Sequence, residues 1–234
     1  MCTVSFIPKA NGDFILTSNR DESPNRSTIL PGFYQLNDTR LLFPKDEIAG
    51  GTWIGASDEK RLICLLNGGF EAHIPKDVYR LSRGVIVKNL LTVKDALAEI
   101  DLIDLSDIEP FTIILVEFSK GLKLYELVWD GENKCFSEKE LKPIIWSSSL
   151  LYSKEIKFKR EKWFSEFIKN NVNPNQNNIL SFHKNAGEGI EKSNIVMNRG
   201  FVRTKSITLF EKAGNIELMR YEDLQTGIIK EMTL

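Results

Sequence analysis

The chain opens Met1-Cys2-Thr3-Val4-Ser5-Phe6-Ile7-Pro8, turns at Asn11-Gly12, and returns as Phe14-Ile15-Leu16-Thr17-Ser18 into Asn19-Arg20-Asp21-Glu22. Two β-prone runs separated by Asn-Gly are a strong hairpin signal, because the tight turn needs positive φ at both central residues. A two-residue loop sets Ala10 opposite Asp13 and, carried along the ladder, Cys2 opposite Asp21. Pro8 has no N–H for the ladder, so a bulge or edge position there would shift this register by one residue.

Residue 2 gives the hairpin its chemical interest. Removal of an initiator methionine requires a small second residue, and cysteine qualifies, so the mature chain can begin with a thiol and a free α-amine on one residue. The amine, with a reference pKa of about 7.7–8.0, is partly neutral near physiological pH and can accept the thiol proton, directly or through one water. The thiol, about 8.5 when unperturbed, then becomes the thiolate that attacks a carbonyl carbon. Asp21 can orient the ammonium as a third group orients the base of a triad, with Asn19 and Arg20 beside it. The bland alternative is a strand end with a solvated ion pair before a turn at Glu22-Ser23-Pro24.

Outward from this hairpin, Thr52–Ala56 with Arg61–Leu66, and Phe111–Phe118 with Leu122–Trp129, read as two further hairpins. The near-continuous apolar character of Ile63–Leu66 and Ile113–Val116 predicts sheet buried on both faces. Residues 81–91 read as a helix, and Thr92-Val93-Lys94-Asp95 has the capping-box form that opens another with Val93, Ala96, Leu97 and Ile100 on one face. A third helix is expected over 154–169, where Trp163, Phe164, Phe167 and Ile168 share a face. Strands over 202–210 and 216–221 end the pattern, and the stretches 23–48 and 68–80 read as loops. Hairpins, then helices, then hairpins predict an α+β fold of antiparallel sheet covered by segregated helices.

With 234 residues, 42% of them hydrophobic, and no linker or repeat, the whole chain 1–234 reads as a single domain. The 31 Lys+Arg nearly balance 32 Asp+Glu, so no global field draws the protein to nucleic acid. No apolar run is long enough for a transmembrane segment and the start lacks a signal peptide, which predicts a cytoplasmic protein. The widely spaced Cys2, Cys64 and Cys135, with His73 and His183 as the sole histidines, argue against a disulfide framework and a zinc site. No cofactor and no metal are expected. His183 as a ligand to a metal or haem iron lacks a partner at ligand spacing, so a structural or surface role is preferred for it and for His73. Gly50-Gly51 and Gly68-Gly69 lack the context of a phosphate loop and read as tight turns. The basic and aromatic stretch Lys154–Lys169 reads as a helix packed on sheet rather than a membrane-surface helix. The direction of Arg203 is not legible.

Cys2, Asn19-Arg20-Asp21-Glu22, Gly50-Gly51-Thr52-Trp53-Ile54-Gly55 and a strand ending at Asn67 recur in the order seen in the NRDE family, which includes the transport-and-Golgi-organisation proteins, and the chain resembles that family over most of its first third. Around Arg203–Thr208 the likeness is weaker. More distantly, the start looks like the choloylglycine hydrolases, meaning bile salt hydrolases and penicillin V acylases. The resemblance implies a four-layer αββα N-terminal-nucleophile (Ntn) hydrolase fold, two stacked, largely antiparallel sheets flanked by helices. It implies Cys2 as nucleophile and base, Asp21 beside the amine, and an oxyanion-hole group from Leu66-Asn67. Two departures stand out. Ser18 replaces the arginine found three residues before the aspartate, with Arg20 the nearest substitute. Ser148, in Ser147-Ser148-Ser149, stands where those hydrolases use an asparagine side chain as oxyanion donor.

The function these readings predict is hydrolysis of a non-peptide amide (C–N) bond in a small or acyl-type substrate, through an acyl-enzyme on Cys2. The alternative from a different class is a non-catalytic protein of lipid homeostasis, carrying an acyl lipid, haem or another hydrophobic ligand. The expected partner is a small molecule or acyl lipid in either case. Oligomeric state is not legible.

Overall fold

A computed structural model of the chain describes residues 3–234, and Cys2 lies outside them. In chain order the first elements are β1 (Thr3–Pro8), β2 (Phe14–Glu22), β3 (Thr28–Leu36), β4 (Thr39–Asp46), β5 (Ile54–Ser57) and β6 (Arg61–Asn67). Then follow α1 (Arg83–Thr92), α2 (Ala96–Leu102), β7 (Phe111–Glu117), β8 (Lys123–Trp129), β9 (Lys134–Lys139) and β10 (Ile144–Ser147). The remainder is α3 (Lys154–Asn170), α4 (Gln176–Asn185), β11 (Arg203–Ala213), β12 (Ile216–Asp223) and β13 (Ile229–Thr233). These form two compact units, one from the chain up to Arg26 together with Lys142–Thr233, the other from Ser27–Leu141.

The first unit is a six-stranded sheet in the order β10-β1-β2-β11-β12-β13, with every pair antiparallel. One face of the sheet carries α3 and α4. Phe164 and Phe182 are buried there with Ile7, Ile15, Ile207 and Leu209, and Trp163, Phe167 and Ile168 pack against them, as the helical spacing of 154–169 predicts. The opposite face carries an aromatic row, Phe6, Phe14 and Phe210, with successive ring centroids 5.8 Å apart.

The opening hairpin forms, but its register is one residue off the expected one. Thr3 pairs with Asn19 and Pro8 with Phe14. The cause is the loop rather than Pro8: Ala10–Gly12 form a single helical turn with Asn11 at φ 60° and Gly12 at φ 74°. The Lys9 N–H donates to the Asp13 carbonyl at 2.8 Å, and the Asp13 N–H to the Ala10 carbonyl at 3.2 Å. Asn11 and Gly12, both at positive φ, are thus the central residues of the Ala10–Asp13 turn, and because Lys9 rather than Ala10 faces Asp13 the loop spans three residues. Strand β10 accompanies β1 only as far as Phe6, so Pro8 has no neighbour on that side to miss its N–H.

The second unit is a seven-stranded antiparallel meander, β3 through β9 in sequence order, with α1 and α2 against one face. Leu62–Leu66 and Ile113–Val116 are buried at every position, so both faces of β6 and β7 are covered, as their apolar runs require. Residues 28–46, expected as loop, form the hairpin β3–β4 instead; Pro31, Gly32 and a register shift between Ile29 and Gly32 interrupt the alternation by which a strand is recognised. The helix after α1 is capped by Asp95, whose carboxylate accepts from the N–H groups of Leu97 and Ala98, not by Thr92. Thr92 still belongs to α1, and its hydroxyl bonds back to the Lys88 and Asn89 carbonyls. Buried Arg61 of β6 donates to the Leu90 and Val93 carbonyls at 2.6 and 2.7 Å, satisfying the C-terminus of α1, and its charge is met by Glu117. No helix among the described residues is long and apolar enough to cross a membrane.

Gly51 shows what its motif does physically. A β-carbon there would stand 2.9 Å from Gly84 Cα and one on Gly84 would stand 2.9 Å from the Thr52 nitrogen, so two glycines let the chain before β5 touch the start of α1. Gly51→Ala is expected to lower stability by about 1–3 kcal/mol, because the clash is with backbone. Chemical denaturation checks this, and a loss under 0.5 kcal/mol would mean that the approach is slack.

Candidate active site

Alternation along β2 sends Asn19 and Asp21 to the helix-covered face, with Thr3, Ser5 and Thr17, while Ser18 and Arg20 go to the opposite face with Ser206 and Thr208. All of these side chains are buried. The tetrapeptide 19–22 is therefore no solvated strand end: its middle residues are interior groups directed to opposite sides of one sheet.

Asp21 is 1% exposed. The Tyr152 hydroxyl donates to its Oδ2 at 2.5 Å and the Thr204 hydroxyl to its Oδ1 at 2.6 Å. Among the described residues no cation stands at ion-pair distance from this carboxylate. Thr204 is the cross-strand partner of Asp21 in β11, and its oxygen in turn accepts the Met197 N–H at 2.9 Å. Beyond Thr204 the register shifts, and Lys205 sits in the irregularity. Its buried ammonium donates to the Pro24 and Arg26 carbonyls at 2.9 and 2.6 Å and so fastens the chain that leaves β2. Burial, and next the charge of Arg20, lower the Lys205 pKa. Arg203 pairs with Glu22 in the same ladder, which brings a third cation to this end of the sheet.

Tyr152 follows β10, and its N–H donates to the carbonyl of Ser148 at 3.1 Å. Ser148, buried, comes directly after Ser147, the partner of Thr3 in β1. One residue thus links two of the residues expected at the site: Tyr152 is bonded through its backbone to Ser148 and through its hydroxyl to Asp21. The Arg160 guanidinium carbon lies 3.7 Å from the centroid of the Tyr152 ring and that of Arg199 lies 5.3 Å away. Burial, and then the charge of Asp21, push the Tyr152 hydroxyl well above its ordinary value of 10, so it remains a protonated donor. Arg160, fully buried in α3, donates to Thr3 Oγ1 and to the Ser193 and Asn194 carbonyls.

The remaining member of the layer is His183 of α4. Asn19 Nδ2 donates to the His183 and Ile195 carbonyls at 3.0 and 3.3 Å, which turns Asn19 Oδ1 toward His183 Nδ1, 2.6 Å away. His183 Nδ1 therefore carries the hydrogen, and Nε2 accepts from the Ser5 hydroxyl at 2.7 Å. The order Ser5–His183–Asn19 has the hydrogen-bond geometry of a hydrolytic triad. Its burial denies it that role: His183 is wholly buried and its pKa falls to about 3, by desolvation first and the nearby Arg160 second, so it does not take a proton near neutrality. With both ring nitrogens engaged, His183 does not ligate a haem iron either. It is a structural histidine that ties α4 to β1 and β2.

Asn67 belongs to the other unit, at the end of β6, where it pairs with Phe111. Gly68, with φ 87°, turns the chain there; its N–H donates to the Pro110 carbonyl at 2.9 Å and its own carbonyl accepts from Thr112 Oγ1 at 3.0 Å. Sequence reasoning missed Tyr152, Arg160 and Thr204. No spacing rule reaches them, since each meets Asp21 or Thr3 across more than a hundred residues, although Thr204 falls in the segment Arg203–Thr208 singled out above. Among the described residues no group of His, Cys, Asp or Glu is arranged to hold a metal ion.

His183 makes the fold acid-sensitive in a predictable window. The folded pKa of about 3 lies below the ordinary 6.5, so the stabilising effect of the neutral ring is complete above pH 6.5. It is lost as pH falls toward 3, where the unfolded chain binds a proton that the folded chain refuses. The loss has a slope approaching about 1.4 kcal/mol per pH unit. His183→Gln is expected to be less stable at pH 7 but to have a shallower dependence of unfolding free energy on pH between 6 and 4. Parallel slopes for the two proteins would refute this account.

The chain matches the family model described as "Transport and Golgi organisation 2" over residues 1–207. No curated protein matches the sequence. Among solved structures it is similar to a variant of conjugated bile acid hydrolase from Clostridium perfringens, with TM-score 0.63 at 11% identity over 99% of this chain and 92% of that one. It is also similar to penicillin V acylase from Agrobacterium tumefaciens, with TM-score 0.58 at 11% identity over 100% and 86%. A Caenorhabditis elegans N-acylethanolamine-hydrolyzing acid amidase orthologue gives TM-score 0.60 at 12% identity over 89% and 92%. At such identities the likeness establishes the fold, which is the α+β fold of the Ntn hydrolases. Two antiparallel sheets with four helices in that fold, and a family match running from the first residue to Ile207, together place this chain in the Transport and Golgi organisation 2 family.

Proposed function

We propose that this protein is an N-terminal-cysteine amidohydrolase that cleaves a non-peptide C–N bond in a small or acyl-type substrate, with the whole chain working as one catalytic domain. The observation that carries this reading is the buried carboxylate of Asp21, held by two neutral hydroxyls with no cation at ion-pair distance among the described residues. A carboxylate so far from water calls for a counter-charge. Thr3 pairs with Asn19, two residues before Asp21 on the same strand, and Cys2 is the residue next to Thr3 in the chain. Loss of Met1 would leave on Cys2 an α-amino group, which is the counter-charge proposed for Asp21 when protonated and the proposed base when neutral. The bile acid hydrolase, acylase and acid amidase that share the fold support the reaction class.

In the proposed reaction the Cys2 thiol gives its proton to the α-amine, and the thiolate attacks the amide carbon. The amine returns the proton to the leaving nitrogen, the C–N bond breaks, and a thioester remains on Cys2. Water, deprotonated by the same amine, releases the acid. Arg20, with Arg203 near it, biases this end of the sheet toward anions and so favours the thiolate. Asn19 acts at one remove, because its amide is committed to His183 and Ile195. Ser148 is the proposed oxyanion donor within the six-stranded unit, and a hydroxyl in place of an amide predicts a modest turnover rate.

Intact mass and peptide mapping after brief alkylation provide the first check. Cys64 is buried and Cys135 exposed, so Cys135 serves as the reference thiol. Loss of Met1 with Cys2 labelled well ahead of Cys135 is expected. Against a panel of chromogenic acyl anilides of graded chain length, Cys2→Ala is expected to abolish turnover and Asp21→Asn to reduce kcat/KM by about 100-fold or more. Full turnover by Cys2→Ala would overturn the assignment, and retained ligand binding without turnover in the wild type would favour a carrier of hydrophobic ligands.

A further inference from the structure

The two hydroxyls on Asp21 are placed by different means. Thr204 lies in the strand paired with β2, so the ladder itself sets its oxygen against Oδ1. Tyr152 comes from the segment between β10 and α3, and two cations and a backbone bond place it. Arg160 lies against the ring at 3.7 Å, anchored by Thr3 and the Ser193 and Asn194 carbonyls. Arg199, 5.3 Å from the centroid, donates to the Leu151 carbonyl at 2.9 Å and the Lys192 carbonyl at 3.0 Å. A phenylalanine would fill the same space and present the same ring to both guanidinium groups. What tyrosine adds is the hydroxyl that donates to Oδ2 at 2.5 Å.

We propose that Tyr152 is a positioning residue for the N-terminal nucleophile, acting through Asp21: its hydroxyl fixes the carboxylate and draws off part of the negative charge that would otherwise fall on the α-amine of Cys2. The inference rests on the reading of Cys2 as nucleophile. Its physical basis is competition for lone pairs. An oxygen that accepts a short bond from a phenol has less charge to offer an ammonium, so the amine gives up its proton more readily and serves better as a base near neutrality. The charged and titratable groups on the elements around Asp21 and Tyr152 are Arg160 from α3, Arg199 from the segment before β11, neutral His183 from α4, Arg203 and Lys205 from β11, and Glu22 and Arg20 on the strand of Asp21 itself, Arg20 on the opposite face. Tyr152→Phe leaves all of them in place and changes no formal charge; it removes the donor to Asp21 together with the hydroxyl's hydrogen bond with Arg160.

The test is the acid limb of the pH profile of kcat/KM for an acyl anilide, measured on protein that has lost Met1, because that limb reports the proton the α-amine must give up before it can act as a base. Tyr152→Phe is expected to move the midpoint of that limb up by about half to one pH unit while kcat/KM on the high-pH plateau stays within about twofold. Turnover of an acyl anilide at pH 7 is expected to fall about three- to tenfold, as that shift dictates. A role confined to packing would change thermal stability without moving the midpoint, and an unmoved midpoint in a folded Tyr152→Phe protein overturns the inference. If that variant does not fold, Arg199→Gln, which removes the outer cation from the ring, is expected to give a smaller shift in the same direction, and no shift overturns the inference. A Cys2 alkylated ahead of Cys135, with an unmoved midpoint, defeats the inference alone. A wild-type Cys2 alkylated no faster than Cys135 defeats the hydrolase reading and this inference together.

Discussion

A buried negative charge at Asp21 is the constraint around which the six-stranded unit is arranged. Desolvating a carboxylate costs several kcal/mol unless polar groups replace the lost water, and a strand alone cannot supply them, because its own N–H and C=O groups are committed to the ladder. Here the replacements come from elements distant in sequence. Thr204 arrives with β11, Tyr152 with the segment after β10, and Arg160 of α3 stacks on Tyr152 while reaching Thr3 of β1. The helix layer is therefore joined to the sheet by polar bonds at one end and by Phe164, Phe182 and their apolar neighbours at the other.

The same layer shows why hydrogen-bond geometry alone does not define an active site. Ser5, His183 and Asn19 have the distances of a catalytic triad, yet all three are buried and the histidine has too little affinity for a proton to act as a base. Asp21, one side-chain position further along the same face of β2, is bonded to two neutral hydroxyls, with no cation at ion-pair distance among the described residues.

The hairpin that begins the fold was legible from Asn11-Gly12, but its register was not. Whether Asn-Gly closes a two-residue or a three-residue loop depends on where Lys9 and Asp13 find their partners, and the loop chosen moves every facing pair by one residue. The helix 154–169 and the strands 61–66 and 111–118 were equally legible, because their periodicity or unbroken apolar runs are local. The hairpin β3–β4 was hidden by Pro31, Gly32 and a register shift, and α4 by its polar asparagine-rich sequence, which caps itself through Asn175 and Asn178.

By itself the sequence determined the class of fold, the strongly patterned hairpins and helices within it, and the side-chain types present at Cys2 and Asp21, since these follow from local patterning and from the identity of side chains. Only the tertiary structure decided which of the residues near Cys2 in sequence face the same way, which histidine is locked away, and which distant hydroxyls hold the carboxylate. The physical reason is that burial and hydrogen-bond partnership are properties of pairs brought together across the chain: Tyr152 and Asp21, 131 residues apart, share no pattern that either stretch of sequence records.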